Sequence, residues 1–345
     1  MCILASRKNE RRTDMNHLEH KHALLSYSNT ELLKVFFEVL VLIHHLYITS
    51  TAFGAVLSEA FGPIAVGGFI LLSGYGVGYR YLKSDDGYFG KLIRVRVPRT
   101  YLTLLIVDLC YLVLYLALGG KFETPASVIL SVLYLPLSGE FVALSHWVYF
   151  LADMIIYYLC FVIFAALFRK TKKKLLWTAV AIFVLDLCII AILTVINVKT
   201  GSSRYLRGCL CFPVGLLCAE FLEKLDEIIE KSKLWLAISL AGISIVLLLF
   251  LNTQPVREYL LSMTVPLALV VLLHGVNTKC RWISYLSSLV IYVYLSHEFF
   301  LRLFERVLPG VERNLIGLLV FVCSMAFAMG LHLVISLFQK RKNTP

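Results

Sequence analysis

The chain has 345 residues, 59% of them hydrophobic and only 16% charged, with a formal charge of +11. A water-soluble domain of this size could not carry that much apolar surface without aggregating, so the composition specifies an integral membrane protein. The positive charge does not require nucleic acid, because its distribution follows the orientation rule for membrane spans.

Residues 1–31 are polar and basic, with no apolar stretch ahead of a small-residue cleavage site. They are expected to form a disordered cytoplasmic tail, with Met15 a candidate start and the first span itself targeting the chain. Ten apolar runs long enough to span as helices follow, at 33–53, 62–81, 100–118, 147–168, 175–196, 205–222, 234–251, 259–275, 283–303 and 315–338. Residues 125–137, around "SVILSVLYLPLSG", are too short and too rich in Pro and Gly to cross, and read as interfacial or re-entrant. With the N-terminus inside, 24 of the 33 Lys and Arg fall on the cytoplasmic side, 8 on the other, and Lys34 lies within the first span. The expectation is an all-α polytopic protein of about ten transmembrane helices with both termini in the cytoplasm. Its parts are a tail (1–31), a membrane domain (32–338) and a short cytoplasmic end (339–345). The nine cysteines have no metal or redox spacing; Cys110, Cys160, Cys188, Cys218 and Cys323 fall inside spans, where cysteine behaves as a small apolar residue.

The first span, "ELLKVFFEVLVLIHHLYITS", is unusual in carrying Lys34, Glu38, His44 and His45. Ionisable groups inside a bilayer are costly and mark function by default. At about 100° per residue, Lys34, Glu38 and His45 lie within about 20–40° of one another on one stripe, whereas His44 is turned by about 100° toward Phe37 and Val41. His45 is thus the candidate for chemistry and His44 for packing or a hydrogen bond to a neighbouring span. Counting about 1.5 Å per residue, Lys34 lies at the cytoplasmic end and His45 about 16 Å deeper. Asp153, about 9 Å in from outside, and His297, roughly 20 Å in from the cytoplasm, fall in the outer half. Asp108 and Asp186, also within spans, read as paired or packed groups.

The stretch at 67–102 pairs glycines at 67, 68, 74, 76 and 78, which allow close helix approach, with a basic end at Lys91, Arg94, Arg96 and Arg99. Arginine forks suit phosphate oxygens, although contact with lipid headgroups would also account for such a cluster.

Several of these pieces together resemble the membrane acyltransferase family 3, bacterial enzymes that O-acylate cell-surface sugars. Lys34 and His45 match its basic residue followed after ten positions by histidine, with Lys in place of the commoner Arg. Ser73, Gly74 and Tyr75 resemble its second-span signature, and Arg94, Arg96 and Pro98 its following basic segment. "SHWVYFLADMIIYYL", led by Trp147 and containing Asp153, and "ISYLSSLVIYVYLSHEFF", through Ser288, Tyr292, Tyr294 and His297, are similar to later elements at looser spacing.

The resemblance implies an enzyme of the bacterial plasma membrane that moves an acyl group, expected to be acetyl, from cytoplasmic acyl-CoA to a hydroxyl of an extracytoplasmic carbohydrate or lipid-linked saccharide. Acyl-CoA is then a co-substrate, with no metal or other cofactor. His45 serves as general base or transient acyl acceptor, and Lys34, Arg94, Arg96 and Arg99 hold donor phosphates. Glu38, too far along the helix to hydrogen-bond His45, is expected to pair with Lys34 at i, i+4. Ser73, Tyr75, Trp147, Asp153 and His297 are supporting residues. The main rival is a transporter or flippase, in which the same groups would relay protons or grip a polar substrate, but the chain shows no repeated halves with matching broken helices. A sensor would want a larger soluble module than about 30 residues.

Overall fold

The computed structural model describes residues 24–46, 52–84, 88–117, 149–195, 210–251, 254–276 and 278–342. Among these there is no strand, and the chain forms eleven α-helices and one π-helical turn. They are α1 (Tyr27–Leu46), α2 (Ala52–Lys83), α3 (Tyr88–Lys91), the π turn (Leu92–Arg96), α4 (Val97–Ala117), α5 (Tyr149–Leu167), α6 (Lys174–Val195), α7 (Cys211–Glu220), α8 (Leu222–Phe250), α9 (Gln254–Leu273), α10 (Arg281–Val307) and α11 (Arg313–Lys342). Stretches within α2, α6, α8, α9 and α11 are long and apolar enough to cross a membrane. The other long helices, α1, α4, α5 and α10, coincide with expected spans.

The elements begin and end for identifiable reasons. The run expected at 234–251 starts twelve residues earlier, at Leu222, because the amphipathic "LEKLDEIIEKSK" stays helical up to a break at Ser232 (φ −135°). The sixth run contributes only α7, whose ten residues are shorter than a span, with 196–209 outside the described residues. Residues 1–23 of the expected tail, the segment at 125–137 and Trp147 lie outside the described residues, as do the side chains of Asp108 and Arg99, whereas residues 24–31 are packed into the fold, with Leu24, Leu25, Asn29 and Glu31 buried and α1 already begun at Tyr27.

Helix α2 is the centre of the bundle, packed by α7, α1 and α9. Its glycines make this possible. Gly67 lies against the Ser262 carbonyl of α9 and Gly74 against the Phe212 carbonyl of α7, so a Cβ at either position would occupy the neighbour's backbone. Phe37 of α1 fills the notch at Gly68, and His44 that at Gly62, where a Cβ would stand 2.6 Å from the imidazole Cδ2. Helices α1 and α10 run side by side in parallel. Near their starts the Ser284 hydroxyl donates to Glu31 Oε2 at 2.6 Å, and further along His45 meets His297. This alignment carries the polar residues of both helices to common levels.

Candidate functional site

At the end of the bundle where α1 begins, a cavity of about 530 Å³ opens between α1, α2, the π turn, α5 and α10. Among the described residues, four cationic side chains line it: Lys34, Arg80, Lys91 and Arg96. Lys34 feels the charges of Arg96, Glu31 and Arg80, so one carboxylate offsets only part of the positive field. Arg96 lies over the ring of Tyr158 at 4.6 Å, a cation–π contact that holds the guanidinium at the cavity wall. Tyr88 closes the same wall. Burial raises the pKa of its hydroxyl, against the smaller opposing pull of Arg96 and Arg80, so the group stays a neutral donor.

The basic segment does not act as a block. Lys91, Leu92, Val95, Arg96 and Thr100 line the cavity, whereas Arg94 is exposed and is not among the lining residues. The reason is elementary: two residues at i and i+2 of a helix point to nearly opposite sides. Only Arg96 of the expected Arg94–Arg96 pair therefore reaches the site. Arg80, Tyr88 and Tyr158 were not singled out as site residues from sequence. Arg80 lies within the 67–102 stretch, two residues after Gly78, but aromatic residues in or beside an apolar span carry no distinguishing signal.

The inner part of the cavity is formed by Phe69 and Ser73 of α2 with Val290, Ile291 and Tyr294 of α10. Beyond Tyr294 come the histidines. The rings of Tyr294 and His297 are 5.7 Å apart, and His297 stacks on His45 at 5.0 Å with an interplanar angle of 27°. His44 meets His45 edge-on at 4.8 Å. Seated on Gly62, His44 packs against α2 as expected, yet its ring still joins the cluster. The turn of about 100° sets His44 toward α2 and His45 toward His297, yet it does not part rings of this size. His297 is 1% exposed, and neither ring nitrogen completes a hydrogen bond, although the backbone at Val293 and Tyr294, one turn earlier, is close.

Other expected site residues sort differently. Ser73 lines the cavity. Tyr75 does not; its hydroxyl accepts a hydrogen bond from the Leu24 N–H at 3.0 Å and anchors the segment leading into α1. Glu38 makes no ion pair with Lys34: both carboxyl oxygens are buried without a protein partner, while Lys34 turns into the cavity among arginines. Asp153 is not brought to the histidines but lies near Asp186 at the α5–α6 contact, where the Tyr157 hydroxyl donates to Asp186 at 3.2 Å. Asp186 is thus a paired helix-contact group, as expected.

A bundle of apolar helices that encloses a cationic cavity, with an aromatic step leading from it to a buried histidine cluster, defines a membrane protein equipped to hold an anionic substrate beside a nucleophile or base. The family model described as an acyltransferase domain, acyltransferase family 3, matches residues 28–337, and the chain belongs to that family: it is a membrane acyltransferase. No curated protein and no solved structure matches the chain.

Proposed function

We propose that the protein takes an acyl group, acetyl in the simplest case, from cytoplasmic acyl-CoA and delivers it to a hydroxyl of an extracytoplasmic carbohydrate or lipid-linked saccharide, within a ten-span topology whose termini face the cytoplasm of a bacterial plasma membrane. The observation that carries this reading is the cavity at the start of α1. It presents Lys34, Arg80, Lys91 and Arg96, suited to the phosphates of coenzyme A, and is lined by Tyr294, whose ring stands 5.7 Å from His297 in the His45–His297 stack.

In this scheme Lys34, Arg80 and Arg96 hold the phosphate end, and the pantetheine arm carries the thioester past Ser73 and Tyr294. His45 then acts in one of two ways. As general base it removes the acceptor hydroxyl proton while the oxygen attacks the thioester carbon, and coenzyme A leaves as the thiol. As nucleophile it takes the acyl group first, releases coenzyme A, and passes the acyl group to the acceptor. His297 supports by holding the plane of the His45 ring. The reading is tested with purified protein: free coenzyme A should be released from acetyl-CoA only when a glycan acceptor is present, and His45→Ala should abolish that release. Release that ignores the acceptor, or persists without His45, would refute it.

A further inference from the structure

A second polar cluster lies away from the cavity, where α9 ends against the start of α8. Asp226 and Glu230, one turn apart on the same face of α8, converge with His274, and one ligand atom from each lies within 4.8 Å of the others. His274 is held firmly. It follows the last residue of α9, Gly275 turns the chain at φ +70°, a backbone conformation open to glycine, and Lys233 Nζ donates to the His274 carbonyl at 2.6 Å. The ring itself is oriented by a contact outside the cluster, Nδ1 to the Leu24 carbonyl oxygen at 3.1 Å. A carbonyl oxygen can only accept, so Nδ1 carries the hydrogen. In the neutral ring Nε2 then offers a lone pair, and it faces Asp226 Oδ1 at 3.0 Å.

Two acceptors in contact require a cation between them. A proton on Nε2 would satisfy Asp226 alone and leave the charge of Glu230, aimed at the same point, uncompensated. A divalent ion satisfies the imidazole and both carboxylates at once. A histidine whose second nitrogen donates to a backbone carbonyl is also the usual arrangement of a metal-bound imidazole. We propose that His274, Asp226 and Glu230 form a binding site for a divalent transition-metal ion of zinc's class, with the remaining coordination positions open to solvent. His274 and Asp226 keep 11% and 29% of their side-chain surface exposed, enough for an ion to enter.

The site has a structural consequence. Leu24, whose carbonyl holds His274, is tied through its N–H to Tyr75, and Asn29 donates to the Leu273 and Val276 carbonyls at 2.7 and 3.0 Å. The ion therefore fastens α8 and the end of α9 to the segment that leads into α1, the helix that carries Lys34. This inference does not depend on acyl transfer, and its test reads metal and stability directly.

Full-length protein purified without a polyhistidine tag, stripped with chelator and titrated with Zn²⁺, should bind about one ion per chain and melt at a higher temperature when loaded. Asp226→Asn and Glu230→Gln should each weaken Zn²⁺ binding by at least about tenfold and remove the thermal shift. Glu230 is exposed, so its variant reports even if Asp226→Asn or His274→Ala folds poorly. Absence of saturable Zn²⁺ binding, equal binding by wild type and both variants, or Mg²⁺ competing as well as Zn²⁺ would each overturn the proposal. So would a melting temperature that ignores added metal.

Discussion

His297 separates chemical from positional roles in the histidine cluster. Its ring is buried and stacked on His45 at 5.0 Å, and among the described residues neither nitrogen completes a hydrogen bond, with the backbone at Val293 and Tyr294 close by. If the ring serves only to fix the plane of His45, phenylalanine should replace it. His297→Phe keeps an aromatic plane and removes two buried polar atoms, each of which costs about 1–3 kcal/mol when unpaired. The larger phenyl adds volume at a cost of about 1–3 kcal/mol. The two terms offset, so the variant should melt close to wild type and keep activity within about tenfold. His297→Ala instead leaves His45 without its neighbour; a displacement of about 1 Å at a reacting group costs about 100-fold, and a loss of that order is expected in kcat with little change in the KM for acyl-CoA. Both variants would be compared by acceptor-dependent release of coenzyme A and by thermal unfolding in detergent. A phenylalanine variant as inactive as the alanine variant, while equally well folded, would show that a nitrogen of His297 takes part in proton transfer.

His45→Ala should abolish acyl transfer with normal membrane abundance, whereas His44→Ala should retain activity within about tenfold; equal loss would mean that both rings work at one centre. Gly62→Val should lower activity through the histidines, because its side chain would claim the space of the His44 ring 2.6 Å away, and adding His44→Ala to it should restore part of the loss. Arg96→Ala should raise the KM for acyl-CoA by about tenfold or more, with Arg96→Lys rescuing in part, while Arg94→Ala changes it by less than about threefold; matching effects would return the arginines to a lipid-contact role. In sealed vesicles, cysteines placed at Ser138 and Lys199 should react with an impermeant thiol reagent added outside, and cysteines at Lys173 and Lys342 should not; the reverse pattern would discard the proposed orientation.

What the sequence made legible was the class and the spine of the site. Apolar run length located the five helices long and apolar enough to cross a membrane, since length and hydropathy are local properties, and Lys34 and His45 lie one in the cavity wall and the other at the histidine stack. Pairing between helices was the part that local arithmetic missed. Glu38 looked like the partner of Lys34 because i and i+4 are neighbours on a helix, but Lys34 turns into the cavity, where Glu31 at i−3 is its favourable charge and Arg80 and Arg96, brought in by α2 and the π turn, are like charges. Asp153 had a suitable depth and the wrong azimuth. Depth follows from counting residues, whereas azimuth depends on which neighbour a helix packs against, and here α6 lies on that side. The partnership of Asp226 and Glu230 with His274 joins two helices across a break of more than forty residues, and no spacing rule reaches that far.

The glycines of α2 tie these levels together. Their spacing alone signals close approach and nothing more. In the fold, Gly67 and Gly74 let the backbones of α9 and α7 close onto α2, and Gly62 and Gly68 admit His44 and Phe37 of α1. The α1–α2 distance that seats His44 is thus set by two missing side chains, and that distance carries α1 to the level at which His45 meets His297. Tyr294 joins the two halves of the proposed route, since it lines the cation cavity and its ring also stands 5.7 Å from His297. On the proposed route, an acyl group moving from the cavity to His45 would pass this tyrosine. The aromatic step between the phosphate end and the histidines is therefore the place where the acceptable length and shape of the acyl group would be decided.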